Sequence, residues 1–322
     1  MDDLNLTLNP ILEEELYTTP PLMTVVVAKL AGTKLDIPRA FRLTSDIPHA
    51  DLRHLRRLRH LSDGSLECIL CRLADEEPSE EKLKELQDRF RSENIFHEYR
   101  YTQVPSKAPR TEQQLKACNA IWPCKFAKSN HLVKCIEGSL LTEQEILVLK
   151  IISDETSKIL NSSEYASIAV IFRFAKVYGV GTCDKNIVES HPVQHSTMLA
   201  IDSVATNAQA GHWRLTTGDS LMRVIQSELD NQDSLKSHCI DHNFLPYLCT
   251  NYDVFITEEP CFMCTMGLVQ SRIRRLFYMN SDKTPKLCYP DKAIEGHLVH
   301  RDRNLNHRFE AWRVTLNAGV SV

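Results

Sequence analysis

Two short segments constrain this chain more than anything else in it: Pro260-Cys261-Phe262-Met263-Cys264, and His195 at the head of an apolar helical pattern. Cys261 and Cys264 are three positions apart, which on a helix puts both side chains on one face. Pro260 suits a helix start, and the partial positive charge of a helix N-terminus favours thiolates. The run from Phe262 to Ser271 is predicted to be a buried helix, with strands over Tyr252–Thr257 before it and Arg272–Tyr278 after it. Gln194 to Ala210 is predicted as another helix, with Met198, Ile201, Val204 and Ala205 along one stripe. A histidine at its start can aim at the first turn of the cysteine helix. His nitrogen and Cys sulfur in this set point to a tetrahedral zinc ion (Zn2+) held by His195, Cys261 and Cys264, with a fourth position left over. The alternative is a pair of structural thiols beside an ordinary capping histidine.

A second C-x-x-C, Cys68 and Cys71, reads differently. It lies in a strand-like run, Ser65 to Leu73, where residues three apart point to opposite faces. These are expected to be buried thiols. Eleven cysteines scattered over 322 residues fit a reducing compartment and one metal site rather than a disulfide framework. The first apolar segment, Met23 to Ala28, is too short to span a membrane, and the acidic N-terminus carries no basic, signal-like start. The expected location is therefore intracellular, in nucleus or cytoplasm, with no membrane partner.

The length allows two ordinary domains. Residues 1–21 read as a loose tail. Residues 22–104 alternate strand and helix patterns, an α+β domain; within it Pro38 to His60 reads largely as helix. Residues 105–141 read as a linker rich in Pro, Lys and Arg. Residues 142–322 read as an α/β/α sandwich with a mixed sheet and the metal at helix N-termini. Thr142-Glu143-Gln144-Glu145 resembles a capped helix start, Ala166–Phe174 and Val177–Cys183 a hairpin, and about 209–244 a polar insertion.

Residues from about 142 to 316 resemble the cytidine-deaminase superfamily, and more narrowly the catalytically degenerate subunit of the eukaryotic heterodimeric tRNA-specific adenosine deaminase. The resemblance rests on His191-Pro192-Val193-Gln194-His195-Ser196-Thr197-Met198, on Tyr247-Leu248-Cys249-Thr250-Asn251-Tyr252-Asp253, on Thr257 to Cys264 with Leu268 to Arg275, and on Leu305-Asn306-His307-Arg308-Phe309. Zinc nucleobase deaminases carry H-x-E followed by P-C-x-x-C, and the glutamate moves protons to and from the water and the leaving amine. Here Thr197 stands in the glutamate's place. A hydroxyl has no useful proton affinity near neutral pH, so the chain is expected to hold metal and not to deaminate alone. Among nearby carboxylates, Glu189, Glu258 and Glu259 are the candidates for a substitute base. The resemblance implies a catalytic partner subunit with an intact H-x-E motif, and conversion of adenosine to inosine at the wobble position of tRNA anticodons. Two other readings stay open: an active zinc-dependent nucleotide or cytidine deaminase using another carboxylate, and a structural zinc protein of deaminase fold.

Net charge is −4, so any contact with tRNA must come from local patches. The densest one holds Arg53, Arg56, Arg57 and Arg59, expected on a helix face able to meet phosphates. Lys107, Arg110, Lys125 and Lys128 extend it. The alternatives are a solvated basic face, or one that pairs with the domain's own acids at Glu80, Glu81 and Glu85. A second cluster, Arg272, Arg274 and Arg275, can face a partner, RNA or solvent.

Overall fold

The computed structural model describes residues 5–30, 37–45, 47, 50–73, 78–184, 191–213, 217–238, 248–279 and 293–317. Glu189 and parts of the expected insertion (214–216 and 239–244) lie outside these, as do the chain ends 1–4 and 318–322. The chain divides into two compact units: Glu13–Val133, and Met1–Leu12 with Lys134–Val322.

In the first unit, β2 (Leu22–Leu30), β3 (Leu58–His60), β4 (Leu66–Arg72) and β5 (Phe96–Pro105) form an antiparallel sheet in the order β3-β4-β2-β5. With α1 (Ile37–Leu43) and α2 (Glu80–Phe90) in their places, the chain order is β-α-β-β-α-β, a split βαβ arrangement. Strand alternation supplies two cores. Val26, Ala28, Cys68 and Leu70 pack with Ala40, Leu86 and Phe90 of the helices. Val25, Val27 and Ile69 pack with Cys118 and Trp122 from α3 (Glu112–Ile121) and the residue after it.

Three expectations from the sequence give way to the structure. The basic run is not a helix: α1 stops at Leu43, Leu58–His60 is a strand, and Leu55 and Leu58, expected on one side of a helix, pack against two different cores. Residues 105–133 are not a linker, since Trp122 is fully buried and its Nε1 donates to Arg56 O at 2.6 Å. Nor is the region before β2 loose. Gln114 Nε2 donates to Glu15 O and Thr18 O, and Leu16 is buried.

The second unit holds a six-stranded mixed sheet, order β1-β10-β9-β8-β6-β7. Its strands are β1 (Asn5–Pro10), β6 (Tyr165–Arg173), β7 (Lys176–Asp184), β8 (Asp253–Ile256), β9 (Arg275–Met279) and β10 (Glu310–Asn317). β8, β9 and β10 run parallel; β6–β7, β6–β8 and β1–β10 are antiparallel. The central strands are apolar on both faces, as a sheet covered twice must be. Ile168, Val170, Phe172, Phe255 and Phe277 meet α5 (Glu143–Ser162) and α7 (Thr217–Asp230). Ala169, Ile171, Val254 and Leu276 meet α6 (Ser196–Asn207) and α8 (Phe262–Gln270). At the boundary between the units in sequence lies α4 (Asn130–Ile136).

The α/β/α sandwich with a mixed sheet is as expected, and so is the capped start of α5: Thr142 Oγ1 accepts from Glu145 N while Glu145 Oε2 accepts from Thr142 N. Two local expectations change. Asn5–Pro10, read as part of a tail, is an edge strand whose Leu6 and Leu8 pack on the core. The described part of the polar insertion is largely α7, whose Ile225 and Leu229 are buried against the sheet; its polar residues hide a narrow apolar stripe. No helix among the described residues is long and apolar enough to cross a membrane.

Candidate metal centre

The end of β8 leads straight into the site. Thr257 N donates to Ile168 O at 3.0 Å, and Thr257 Oγ1 accepts from Ile168 N at 2.9 Å, so the loop before Pro260 is sewn to β6. Cys261 is the N-cap of α8, and its carbonyl accepts from Thr265 N at 2.8 Å. His195 is the N-cap of α6, with Leu199 N donating to His195 O at 3.0 Å. Neither side chain caps its own helix. Both can therefore turn toward each other.

They do so between the starts of two helices that pack on the same face of the sheet. His195 Nδ1 lies 3.5 Å from Cys261 Sγ and 3.4 Å from Cys264 Sγ. With metal–sulfur bonds of about 2.3 Å and metal–nitrogen bonds of about 2.0–2.1 Å, a tetrahedral zinc site needs N···S edges near ~3.5 Å. The observed edges match, so the donor set fits the ion chemically and geometrically. Cys264 is fully buried, Cys261 and His195 partly so. Hydrogen bonding to Cys261 raises the pKa of His195; burial opposes this, and the charges of Cys261 and Glu258 reinforce it. The surroundings are electron-rich, as a cation site requires.

Close backbone packing brings α6 to this position. A Cβ on Gly181 of β7 would lie 2.1 Å from Ser196 O and 2.4 Å from Ala200 N. The first turn of α6 rests directly on that glycine. Ser167 Oγ of β6 and Ser196 Oγ, 2.8 Å apart and buried, tie the same turn to the central sheet. The sequence signal for this support is Gly179-Val180-Gly181 inside a strand pattern, where glycine marks a close approach. A search for metal-ligating and acid/base residue types passes over it, because glycine brings no chemistry of its own.

Thr197 is buried in that first turn, 2% exposed. Of the nearby carboxylates, Glu259 is committed elsewhere: its Oε1 accepts from Ile294 N and Glu295 N at 3.1 and 2.9 Å. Glu258 is buried near His195, and its charge, after burial, contributes to pushing the Cys183 thiol up to about 11. Cys68 and Cys71 join no ligand cluster among the described residues; burial pushes Cys68 up to about 12.

The basic residues divide by partner. Arg57 donates to Thr44 O and Oγ1 at 3.0 and 2.5 Å, and burial lowers its pKa. Arg59 pairs with the buried Glu67 at 2.7 Å, donates to Ile121 O and stacks over Trp122. Lys107 pairs with Glu15, Arg110 with Glu13, and Lys128 with Glu112. Arg53 and Arg56 are exposed and make no ion pair among the described residues. The isolated bridge Leu55↔Cys124 buries those two residues and leaves Arg56 and Lys125 outside. In the second cluster, Arg274 and Arg275 both bind Asp253 and Glu145, and Arg272 is exposed.

No family model matches the chain. The probable inactive tRNA-specific adenosine deaminase-like protein 3 of Danio rerio is 26% identical over 338 residues, covering 99% of this chain and 95% of that protein. The tRNA-specific adenosine deaminase subunit TAD3 of Saccharomyces cerevisiae is 24% identical over 277 residues, covering 81% and 74%. The chain is a homologue of these proteins. A solved chain from biochemical and structural studies of A-to-I editing by tRNA:A34 deaminases at the wobble position of transfer RNA is also similar, at 16% identity and TM-score 0.28 over 52% of this chain and 97% of that one.

Proposed function

We propose that the chain is the non-catalytic, structural and RNA-docking subunit of a heterodimeric tRNA adenosine deaminase that converts adenosine to inosine at the wobble position of anticodons. The observation that carries this is the ligand set His195, Cys261 and Cys264, joined at two helix N-caps, with a buried threonine where the proton shuttle would stand. Zinc bound there supplies Lewis acidity to whatever fills its fourth position. This chain offers no matching acid/base at Thr197, so its own residues serve to fix the starts of α6 and α8 and to hold the sandwich in shape for a partner carrying an intact H-x-E.

Docking of tRNA is assigned to the first unit. Of the basic residues expected to form the patch, Arg53, Arg56 and Lys125 are exposed and make no ion pair among the described residues, whereas Arg57 and Arg59 are partly buried on internal partners and Lys107 and Arg110 pair with Glu15 and Glu13. Phosphate contacts of this kind position a substrate without reading its sequence. The free thiols among the described cysteines suit an intracellular setting, nucleus or cytoplasm.

One observation favours a second reading. Glu258 is a buried carboxylate whose charge reaches His195, and in an active enzyme it would be the base. Assay of inosine formation in tRNA separates the two. The purified chain is expected to be inactive and the complex with its H-x-E partner active. Activity of the chain alone that vanishes in Glu258→Gln establishes the second reading instead.

A further inference from the structure

Phe174 sits where a phenylalanine is out of place. It is the first of two residues, with Ala175, that turn the β6–β7 hairpin between the paired Arg173 and Lys176. Its φ is 52°, and it is 39% exposed. Tight hairpin turns of this hand favour Gly, Asn or Asp. A bulky residue at positive φ is a backbone outlier, and such strain clusters at binding sites.

The ring of Phe174 forms one wall of a cavity of about 190 Å³ that also meets Val148, Leu149, Phe172, Leu235 and Phe277. Arg274 and Arg275, which also line it, are neutralised by Asp253 and Glu145, with Arg275 Nη2 2.6 Å from both carboxylates. Gln144, partly exposed near the start of α5, lines it too, and its side-chain amide has no hydrogen bond among the described residues.

Size and charge select the occupant. An apolar cavity of ~150 Å³ accepts a benzene ring, whereas sites for whole small molecules and cofactors run from about 300 Å³ upward. The two arginines and two carboxylates of the lining balance, so the cavity offers no excess positive charge to a phosphate backbone. We infer that this cavity is a socket for a single uncharged aromatic side chain presented by a partner protein, with Gln144 meeting the peptide group beside that side chain. Buried aromatic anchors in preformed pockets are the usual centres of protein interfaces. The inference stands independently of the tRNA reading, and only its crosslinking test rests on the proposed partner subunit.

The test uses the full chain with labelled Val and Leu methyl groups, titrated with N-acetyl-phenylalaninamide, N-acetyl-alaninamide and adenosine. Saturable shifts at Val148 and Leu149 are expected with the phenylalanine amide only. Phe174→Asn, which relieves the strained turn, is expected to keep or raise Tm and to weaken binding about tenfold or more. Gln144→Trp, on a half-exposed helix position, is expected to close the mouth and abolish binding. In the purified complex, a photo-crosslinker at position 144 is expected to join the partner protein at an aromatic residue. The inference is overturned by any of four results: no saturable shift, equal response to the alanine amide, unchanged binding in both variants, or tighter binding of adenosine. A crosslink confined to RNA or to this chain overturns it as well.

Discussion

His195 and Cys261 are 66 positions apart in the chain, yet each occupies the N-cap position of a helix and their side-chain ligand atoms lie 3.5 Å from one another. Such proximity of two electron-rich groups is held more firmly with a cation between them. One zinc ion per chain is therefore expected by elemental analysis of the folded protein. The double variant Cys261→Ser, Cys264→Ser should retain none and should unfold at lower temperature, because metal binding at such a site is also folding energy.

On the proposed reading, Thr197 separates metal binding from catalysis. The chain alone is expected to form no inosine in tRNA. Positioned acid/base groups contribute about 10² to 10⁴ in rate, but Thr197→Glu should restore no efficient turnover, since a proton shuttle without a fitted base pocket has nothing to act on. A turnover number for the variant close to that of the complex would contradict this.

Gly181 is expected to be intolerant of even one added carbon. Gly181→Ala places a methyl group 2.1 Å from Ser196 O unless α6 moves away. The expected cost is about 1–3 kcal/mol in urea unfolding, together with faster loss of zinc to a chelator, because the shifted turn carries His195.

Arginines of one short run should behave in two ways. Arg53→Ala with Arg56→Ala is expected to weaken tRNA binding to the complex while leaving Tm unchanged. The slope of log affinity against log salt should become shallower by about one unit for each phosphate that is no longer neutralised. Arg59→Ala is expected instead to destabilise the first unit by about 1–3 kcal/mol, since the fully buried Glu67 is deprived of one of its two guanidinium partners. Equal effects of both substitutions on tRNA affinity alone would refute the division.

Glu145 should contribute to stability on the acid side. Burial raises its pKa, but hydrogen bonds from Arg275 and Thr142 N and the charges of Arg275 and Arg274 outweigh that, leaving it below the usual value. A carboxylate depressed in the folded state stabilises above its unfolded pKa of about 4.3 and loses that contribution as pH falls through the lower folded value. Denaturation of Glu145→Gln measured from neutral pH to below pH ~4 should thus show a smaller acid-side loss than wild type, from a lower starting stability. Parallel curves would rule out the linkage.

Several features were legible in the sequence because their physics is local. The spacing of Cys261 and Cys264, the capping box of Thr142 and Glu145, the hairpin after Ala166 and the absence of an acid at Thr197 each depend on a few neighbouring residues. What the tertiary structure decided depends on partners distant in the chain. Asn5–Pro10 becomes a strand because β10 offers it an open edge. Arg57 and Arg59 are withdrawn from the surface by Thr44 and Glu67, and the expected basic helix gives way to a bridge because Leu55 finds Cys124. The apolar stripe of α7 took its meaning only from the sheet it covers. A residue's type fixes which interactions it can make; which of them it makes is set by what the folded chain brings within reach.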